Sequence, residues 1–529
     1  MNRSRHTRAR RAVALTAGLV LASTLLAPGS SQAADPDQTK KLRNAVTTEA
    51  VMKRLSTLES IAKANGGTRA SGTPGYKASV DYVTKTLRKA GYKPKVQAFS
   101  FPFYRQLAPS TLAQVSPTAT TYVENTDYAL MTYSASGEVS GTIQAVDLAL
   151  DDLEGSTSGC EAADFTGFTA GNIALIRRGT CAFGEKVANA QKAGAKAVIV
   201  MNTGTPGNTE LLQGTLGEPL ATVPAIGTTF ALGQALATGT PTVSIKTSTQ
   251  SDIRTTWNVT AMTRKGTSSN VVMAGAHLDG VVEGAGINDN GSGSAALLEI
   301  AVKMAKTPVR NKVRFAWWGA EELGLLGSEH YVANLAKKSP ASLKKIALYL
   351  NFDMIGSPNY GLFVYDGNNS RFTEDDGAAT APKGSAAIER TFHSYFASRG
   401  VASEETAFDG RSDYGPFIDQ GIPAGGLFTG AEGVKTAAQA KKWGGTAGVA
   451  YDKCYHQACD NLGNVSRRAI GLNSDAMAHA ILTYALSTKS VNGKSTRKGM
   501  EWEPAPGIGT SGSRTSGGYA GHGHHGVER

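Results

Sequence analysis

Residues 271–294 read VVMAGAHLDGVVEGAGINDNGSGS, and how they are read decides the rest of the chain. The stretch opens on uncharged apolar and small residues, as a buried strand does, and ends in His277-Leu278-Asp279. Asp289 follows ten residues after Asp279 in a Gly/Asn-rich loop, and a helix rich in small residues is expected from about Gly293. A histidine and an acid at a strand end, with a second acid in an irregular loop, is how a metal or a catalytic base is presented. Alone it proves neither, because Asp289-Asn290-Gly291 also suits a plain turn.

Working outward, the same pattern repeats. Strand Val313–Trp318 leads to Glu321-Glu322, read as the start of a helix running to Leu335. Strand Ile346–Phe352 leads to Asp353, and a helix is expected over Ser385–Ala397. Strands alternating with helices predict an α/β fold, a mostly parallel central sheet sandwiched by helices. Ligands in such sheets sit beyond the carboxyl ends of the strands. There the chain gathers His277, Asp279, Asp289, Glu321, Glu322 and Asp353, and Cys454-Tyr455-His456-Gln457-Ala458-Cys459 supplies a second imidazole.

A lone acid at a strand end is usually a cap or an ion-pair partner. Several acids on one edge without a cation would cost several kcal/mol, so a divalent metal is the natural counter-charge. Two imidazoles with carboxylates suit zinc better than magnesium or calcium, which prefer oxygen alone. Five ligands exceed one tetrahedral zinc but suit two ions ~3.5–4 Å apart that share a carboxylate, and Asp289 is placed to be shared.

The N-terminus points to export. Five arginines between Arg3 and Arg11 precede the apolar run Ala12–Ala27, and Ser31-Gln32-Ala33 resembles a cleavage site. The apolar run is short for a membrane span, which needs ~20 residues. The paired Arg10-Arg11 leaves the export route open between the general and twin-arginine pathways. Without those five arginines the formal charge of +11 falls to +6 and is spread along the chain, which gives nucleic-acid binding no support. The four cysteines fall as Cys160 with Cys181 and Cys454 with Cys459, so two disulfides are expected in an exported protein. Residues 496–529 are Gly/Ser/Pro-rich with too little apolar content to order themselves, and His522, His524 and His525 are read as part of a disordered tail.

Two resemblances sharpen this. GNIALIRRGTCAFGEKVANAQKAGAKAVIVMN at 171–202 resembles a protease-associated (PA) domain, a small β-rich module inserted in exported peptidases. Cys160–Cys181 would then staple its loops, and its expected role is a spacer or lid. GAHLDG, GAGINDNGSGSAALLE, FAWWGAEELGLLGS, LNFDMIGSPN, GRSDYGPF and CYHQACD closely resemble the co-catalytic zinc exopeptidases of the bacterial leucine aminopeptidase and aminopeptidase Y type. That resemblance implies two zinc ions per chain, His277 and Asp353 on one, Glu322 and His456 on the other, with Asp289 bridging. It further implies Glu321 as general base, Asp279 as the acid orienting His277, and Tyr455 as a donor to the tetrahedral oxyanion. Arg411 and Phe428 are weaker substrate-binding candidates. Relatives often carry His where Tyr414 stands, which leaves the role of that position open.

The resulting expectation is a secreted, monomeric aminopeptidase acting on peptide and protein N-termini with a preference for large apolar residues such as leucine. It would have no membrane attachment after signal cleavage. Its parts would be a signal peptide at 1–33, an N-terminal portion of the peptidase at 34–108, a PA domain at 109–249, the catalytic domain at 250–490 and a disordered tail at 491–529. The alternatives are a related exopeptidase or a glutaminyl-cyclase-like activity on the same fold, and a non-catalytic PA-domain receptor. Carboxylates near Asp475 leave calcium undecided. Trp317, Trp318, His330, His393 and His479 are read as packing residues.

Overall fold

The computed structural model describes residues 36–150 and 155–494. The leader and nearly all of the tail lie outside the described residues. Three helices open the described chain: α1 (Pro36–Ala45), α2 (Thr48–Ala64) and α3 (Pro74–Lys89). In α2 the Thr47 hydroxyl accepts the Ala50 N–H and caps the first turn. Val51, Leu55, Leu58 and Ala62 then recur at helical spacing and bury one face. In α3, Thr73 is the cap and Pro74 opens the helix, where its missing N–H costs nothing.

Strands follow as β1 (Lys95–Ser116), β2 (Thr120–Tyr122), β3 (Tyr128–Leu130), β4 (Gly137–Ala145) and β5 (Ile173–Arg177). Helix α4 (Phe183–Lys192) leads to β6 (Ala197–Met201) and β7 (Ala225–Thr228), and α5 (Phe230–Ala237) to β8 (Thr242–Met262). Next come β9 (Thr267–His277), α6 (Gly293–Met304), β10 (Asn311–Trp318), α7 (Leu326–Lys338) and β11 (Ile346–Phe352). The chain closes with β12 (Phe363–Tyr365), α8 (Ser385–Ser398), β13 (Glu404–Thr406), β14 (Ala424–Phe428) and α9 (Arg467–Leu486).

The hydrogen-bonded order is β13-β12-β14-β11-β9-β10-β8-β4-β5-β6-β7-β3. Strand β9 is central, with β10 and β11 parallel to it on either side and β14 parallel to β11. Side chains alternate across this core with the strand period of two. Val272, Ala274, Ala276, Phe315, Trp317, Leu348 and Leu350 face the helices α1, α2, α3, α6, α8 and α9. Met273, Ala316, Trp318 and Tyr349 face α7 on the other side. Both tryptophans are fully buried packing residues, and Trp317→Ala would cost ~3–5 kcal/mol.

The structure departs from the sequence reading at three places. Strand β1 pairs antiparallel with β8 from Lys95↔Thr260 to Ser116↔Thr242, so the expected domain bounds at 109 and 249 fall within continuous strands. Helix α7 begins at Leu326, not Glu322, because Gly324 and Leu325 take left-handed backbone (φ 98° and 63°) and hold Glu321 and Glu322 in a turn before it. Ordered chain also continues past 491: Val491 is buried against the core in the short helical turn Lys489–Asn492. Both cysteine pairs are disulfides, Cys160–Cys181 and Cys454–Cys459. Among the described residues, no helix is long and apolar enough to cross a membrane.

Candidate metal centre

Strands β9, β10 and β11 run parallel and end on one edge, so their last residues and the turns after them converge. His277 closes β9, Asp353 follows β11, and Glu321 and Glu322 follow β10 through Gly319-Ala320. Asp289 enters from the irregular turn Ile287–Ser292, in which its own backbone is extended (φ −103°, ψ 101°). His456 comes from the loop closed by Cys454–Cys459, with a left-handed backbone at φ 56°. That conformation costs a non-glycine residue ~1–3 kcal/mol and persists where surrounding structure imposes it.

Asp289 stands between the two imidazoles. Its Oδ1 lies 3.2 Å from His277 Nε2 and its Oδ2 lies 3.2 Å from His456 Nε2. Asp353 Oδ1 is 3.1 Å from His277 Nε2, and Glu322 Oε2 is 3.0 Å from His456 Nε2. Glu321 Oε2 stands further off, 3.7 Å from His277 Nε2. The donor atoms therefore form two sets, His277-Asp289-Asp353 and Asp289-Glu322-His456, with Asp289 in both. A third grouping, His277-Glu321-Glu322, places both glutamates within reach of the first imidazole. Asp279 Oδ1 faces His277 Nδ1 at 3.7 Å, an ion-pair separation longer than a hydrogen bond, and accepts the Glu321 N–H at 3.4 Å.

Burial raises the carboxyl pKa of Glu321 well above its ordinary value and that of Glu322 to about 7, with the neighbouring acids adding to the rise. For Asp289 burial acts upward too, but the imidazoles of His277 and His456 outweigh it and hold the carboxylate ionised. His456 is pushed down by burial and more strongly up, to about 10, by Glu322 and Asp289. His277 Nδ1, Asp279 Oδ2 and Glu322 Oε1 are buried without a hydrogen-bond partner. Arg69 is fully buried nearby, but its guanidinium donates to the carbonyls of Leu278, Ala285 and Gly286 instead of to a carboxylate. Close-packed acids, two imidazole Nε2 atoms and the orphaned Glu322 Oε1 are what a divalent cation would satisfy, and the mixed nitrogen and oxygen set fits one.

Residues 258–481 match the model of peptidase family M28, and residues 139–236 match the PA domain. An aminopeptidase of Pseudomonas aeruginosa PAO1 is 51% identical over 460 residues, covering 85% of this chain and 83% of the relative. A probable lipoprotein aminopeptidase of Mycobacterium tuberculosis, LpqL, is 43% identical, covering 90% of this chain and 93% of its own. The chain belongs to peptidase family M28. Among solved structures, the aminopeptidase from Aneurinibacillus sp. strain AM-1 superposes with this M28 peptidase at a TM-score of 0.57 and 28% identity, covering 84% of this chain and 95% of that one. BSAP, a zinc aminopeptidase from Bacillus subtilis, does so at 0.54 and 25% identity over 82% and 94%.

Several residues that hold the centre of this M28 peptidase were not singled out from the sequence. The Asp460 carboxylate accepts the N–H groups of Asn288 (2.8 Å) and Asp289 (3.0 Å), which orients the shared acid. Ser412 Oγ donates to Asp353 Oδ2 at 2.5 Å, and Ser294 donates to the His277 carbonyl. Asp460 closes the quoted CYHQACD motif and Ser412 lies in GRSDYGPF, while Arg69 belongs to none of the quoted motifs.

Among the weaker candidates, Arg411 Nη2 donates to the Tyr455 hydroxyl at 3.1 Å while Nη1 pairs with Glu432 at 2.7 Å. The Tyr455 ring stacks on His456 at 3.8 Å, and burial together with Asp289 and Glu322 keeps its phenol protonated. Phe428 closes β14, beside the end of β11, and its ring meets Phe363. Tyr414 is fully buried and its hydroxyl donates to Asp409 Oδ1 at 2.7 Å, so it braces the 409–414 loop. Asp475 faces Arg43 at 4.0 Å, and among the described residues no metal-capable group includes it.

Proposed function

We propose that this M28 peptidase is an exported di-zinc aminopeptidase that removes N-terminal residues, large apolar ones such as leucine foremost, from peptides and proteins. The observation that carries the two-ion reading is the placement of Asp289, one carboxylate oxygen toward each imidazole at 3.2 Å. His277 and Asp353 would hold one zinc, Glu322 and His456 the other, and Asp289 both. Bound zinc would polarise the scissile carbonyl and acidify the attacking water.

The chain's own residues supply the rest. Glu321 stands further from His277 than Asp289 and Asp353 do, and its raised pKa suits a group that takes a proton from the attacking water and passes it to the departing amine. Tyr455, protonated and held by Arg411, donates to the oxygen on which negative charge develops. Asp279 faces His277 from the Nδ1 side as the acid that would orient it, and Ser412 holds Asp353. Phe428 would line the side-chain pocket. The P. aeruginosa and M. tuberculosis relatives named aminopeptidases, and the leucine aminopeptidase 2 of Trichophyton rubrum (48% identical over 337 residues), support the substrate class. Export rests on the arginine-plus-apolar N-terminus and on the two disulfides. The convergence of all five ligands weighs against a non-catalytic receptor.

The test is a panel of aminoacyl-p-nitroanilides, free and N-acetylated, with and without a chelator. Chelator-sensitive cleavage of the free amines alone, fastest for leucine, is expected. Equal cleavage of the acetylated substrates would sink the aminopeptidase reading, and activity untouched by chelator would sink the zinc reading. Light scattering of the purified protein should give a monomer mass.

A further inference from the structure

The described residues hold one more His/carboxylate group, outside the centre above: Glu389, His393 and Glu405, whose donor atoms lie within 4.8 Å of one another. Glu389 and His393 stand four apart on α8 and so share one face of the helix. Glu405 reaches them from β13, the edge strand, which among the described residues pairs only with β12. The three side chains are prepared. Glu389 is 5% exposed, and its Oε2 accepts the Gly367 N–H (3.1 Å) and Asn368 Nδ2 (2.8 Å), which sets the carboxylate plane. His393 Nδ1 is 2.7 Å from Ser403 Oγ, an arrangement that fixes the ring and leaves Nε2 toward Glu405. Nε2 is buried, has no hydrogen-bond partner, and sits 3.9 Å from Glu405 Oε1, too far for a direct bond. The gap between an unpartnered imidazole nitrogen and two carboxylates is what a cation fills. The nearby Asp366 is already occupied by the N–H groups of Asn368, Ser370, Arg371 and Phe372.

We propose that Glu389, His393 and Glu405 form a further zinc-binding site, separate from the catalytic centre, which clips the short edge strand β13 to α8. One imidazole and two carboxylates match the nitrogen and oxygen preference of zinc over calcium or magnesium. The ion would tie down an edge that three residues of pairing hold weakly. Burial holds the His393 imidazole below its ordinary pKa, in keeping with a neutral nitrogen ligand.

The experiment uses the full-length enzyme, equilibrated with ZnCl2, desalted and analysed for zinc by mass spectrometry, beside His393→Gln and Glu405→Gln. The wild type should hold one equivalent more than either variant, with equal kcat on a leucine p-nitroanilide. Added ZnCl2 should raise Tm by several degrees more in the wild type. Equal zinc content and an equal Tm response in all three would overturn the site and leave a His393–Glu405 ion pair in its place. Glu405→Gln keeps the size and shape of the side chain and removes its charge. If neither variant folds, calorimetric titration of the metal-stripped wild type with ZnCl2 decides, and a fit that needs no class of sites beyond the catalytic ones overturns the proposal. Because the readout is a difference between variants, it does not depend on whether the catalytic centre holds one ion or two.

Discussion

The molecule contains two stacks of buried parallel strands, and their carboxyl ends differ. In the PA region, β5 and β6 end in Arg177 and Met201, and the buried Arg177 guanidinium donates to the carbonyls of Ala149 and Thr203. In the catalytic region, β9, β10 and β11 lead to His277, Glu321, Glu322 and Asp353, which face one another with donor atoms left over. The first edge closes on itself and the second needs a partner. Parallel strands make an edge in both regions, and the residues placed there decide whether it is structure or a site.

Four experiments break or sharpen that contrast. Glu321→Gln should lower kcat by ~10²–10⁴-fold with the metal content unchanged, because it removes a proton acceptor and leaves the ligands. Loss of metal instead would exchange the roles of Glu321 and Glu322. In the PA region, replacing Cys160 and Cys181 by Ser opens a loop with a sequence separation of 21. The expected cost is ~3 kcal/mol in denaturant unfolding with little change in kcat on a small substrate. A collapse of kcat in the folded variant would mean that this region does shape the centre.

Acid sensitivity separates scaffold from site. His479 is 2% exposed, its Nδ1 is 2.8 Å from Thr39 Oγ1, and burial lowers its pKa from 6.5 to about 4. Between pH 6.5 and about 4 the unfolded chain binds a proton there that the folded chain does not, so stability falls as pH falls. This loss reaches at most ~3 kcal/mol, and His479→Gln should flatten Tm against pH in that window while leaving the acid limb of the activity profile in place. The smallest effect is expected for Ser412→Ala, which removes the hydrogen bond to Asp353 Oδ2. It should weaken metal binding ~10–100-fold, read by competition with a chromogenic chelator, with Tm of the metal-free protein within a few degrees of wild type.

Much of the fold was legible because its signals are local. Strand Ile346–Phe352 has the predicted bounds, since a short uninterrupted apolar run with clear breakers leaves little choice. The start of α7 was misread because nothing in GAEELGLL announces that Leu325 turns left-handed. The β1–β8 ribbon was missed because each strand finds its partner more than a hundred residues away. Of the centre, the ligands could be named from residue type and order, but Arg69 and Asp460 could not be given work. Their partners are backbone groups of a distant loop, and no spacing rule reports those.

By itself, then, the sequence determined the α/β alternation, the two cysteine pairs and the kind of chemistry at the strand ends. These follow from hydrophobic period and side-chain type, which neighbouring residues set. Only the tertiary structure decided that the two oxygens of Asp289 point to different imidazoles, that Glu321 stands further from His277 than Asp289 and Asp353 do, and that Glu389, His393 and Glu405 meet at the sheet edge. Those are relations between segments up to 167 residues apart, as Asp289 and His456 are. Distances of that kind are settled by packing, not by any residue's own preference.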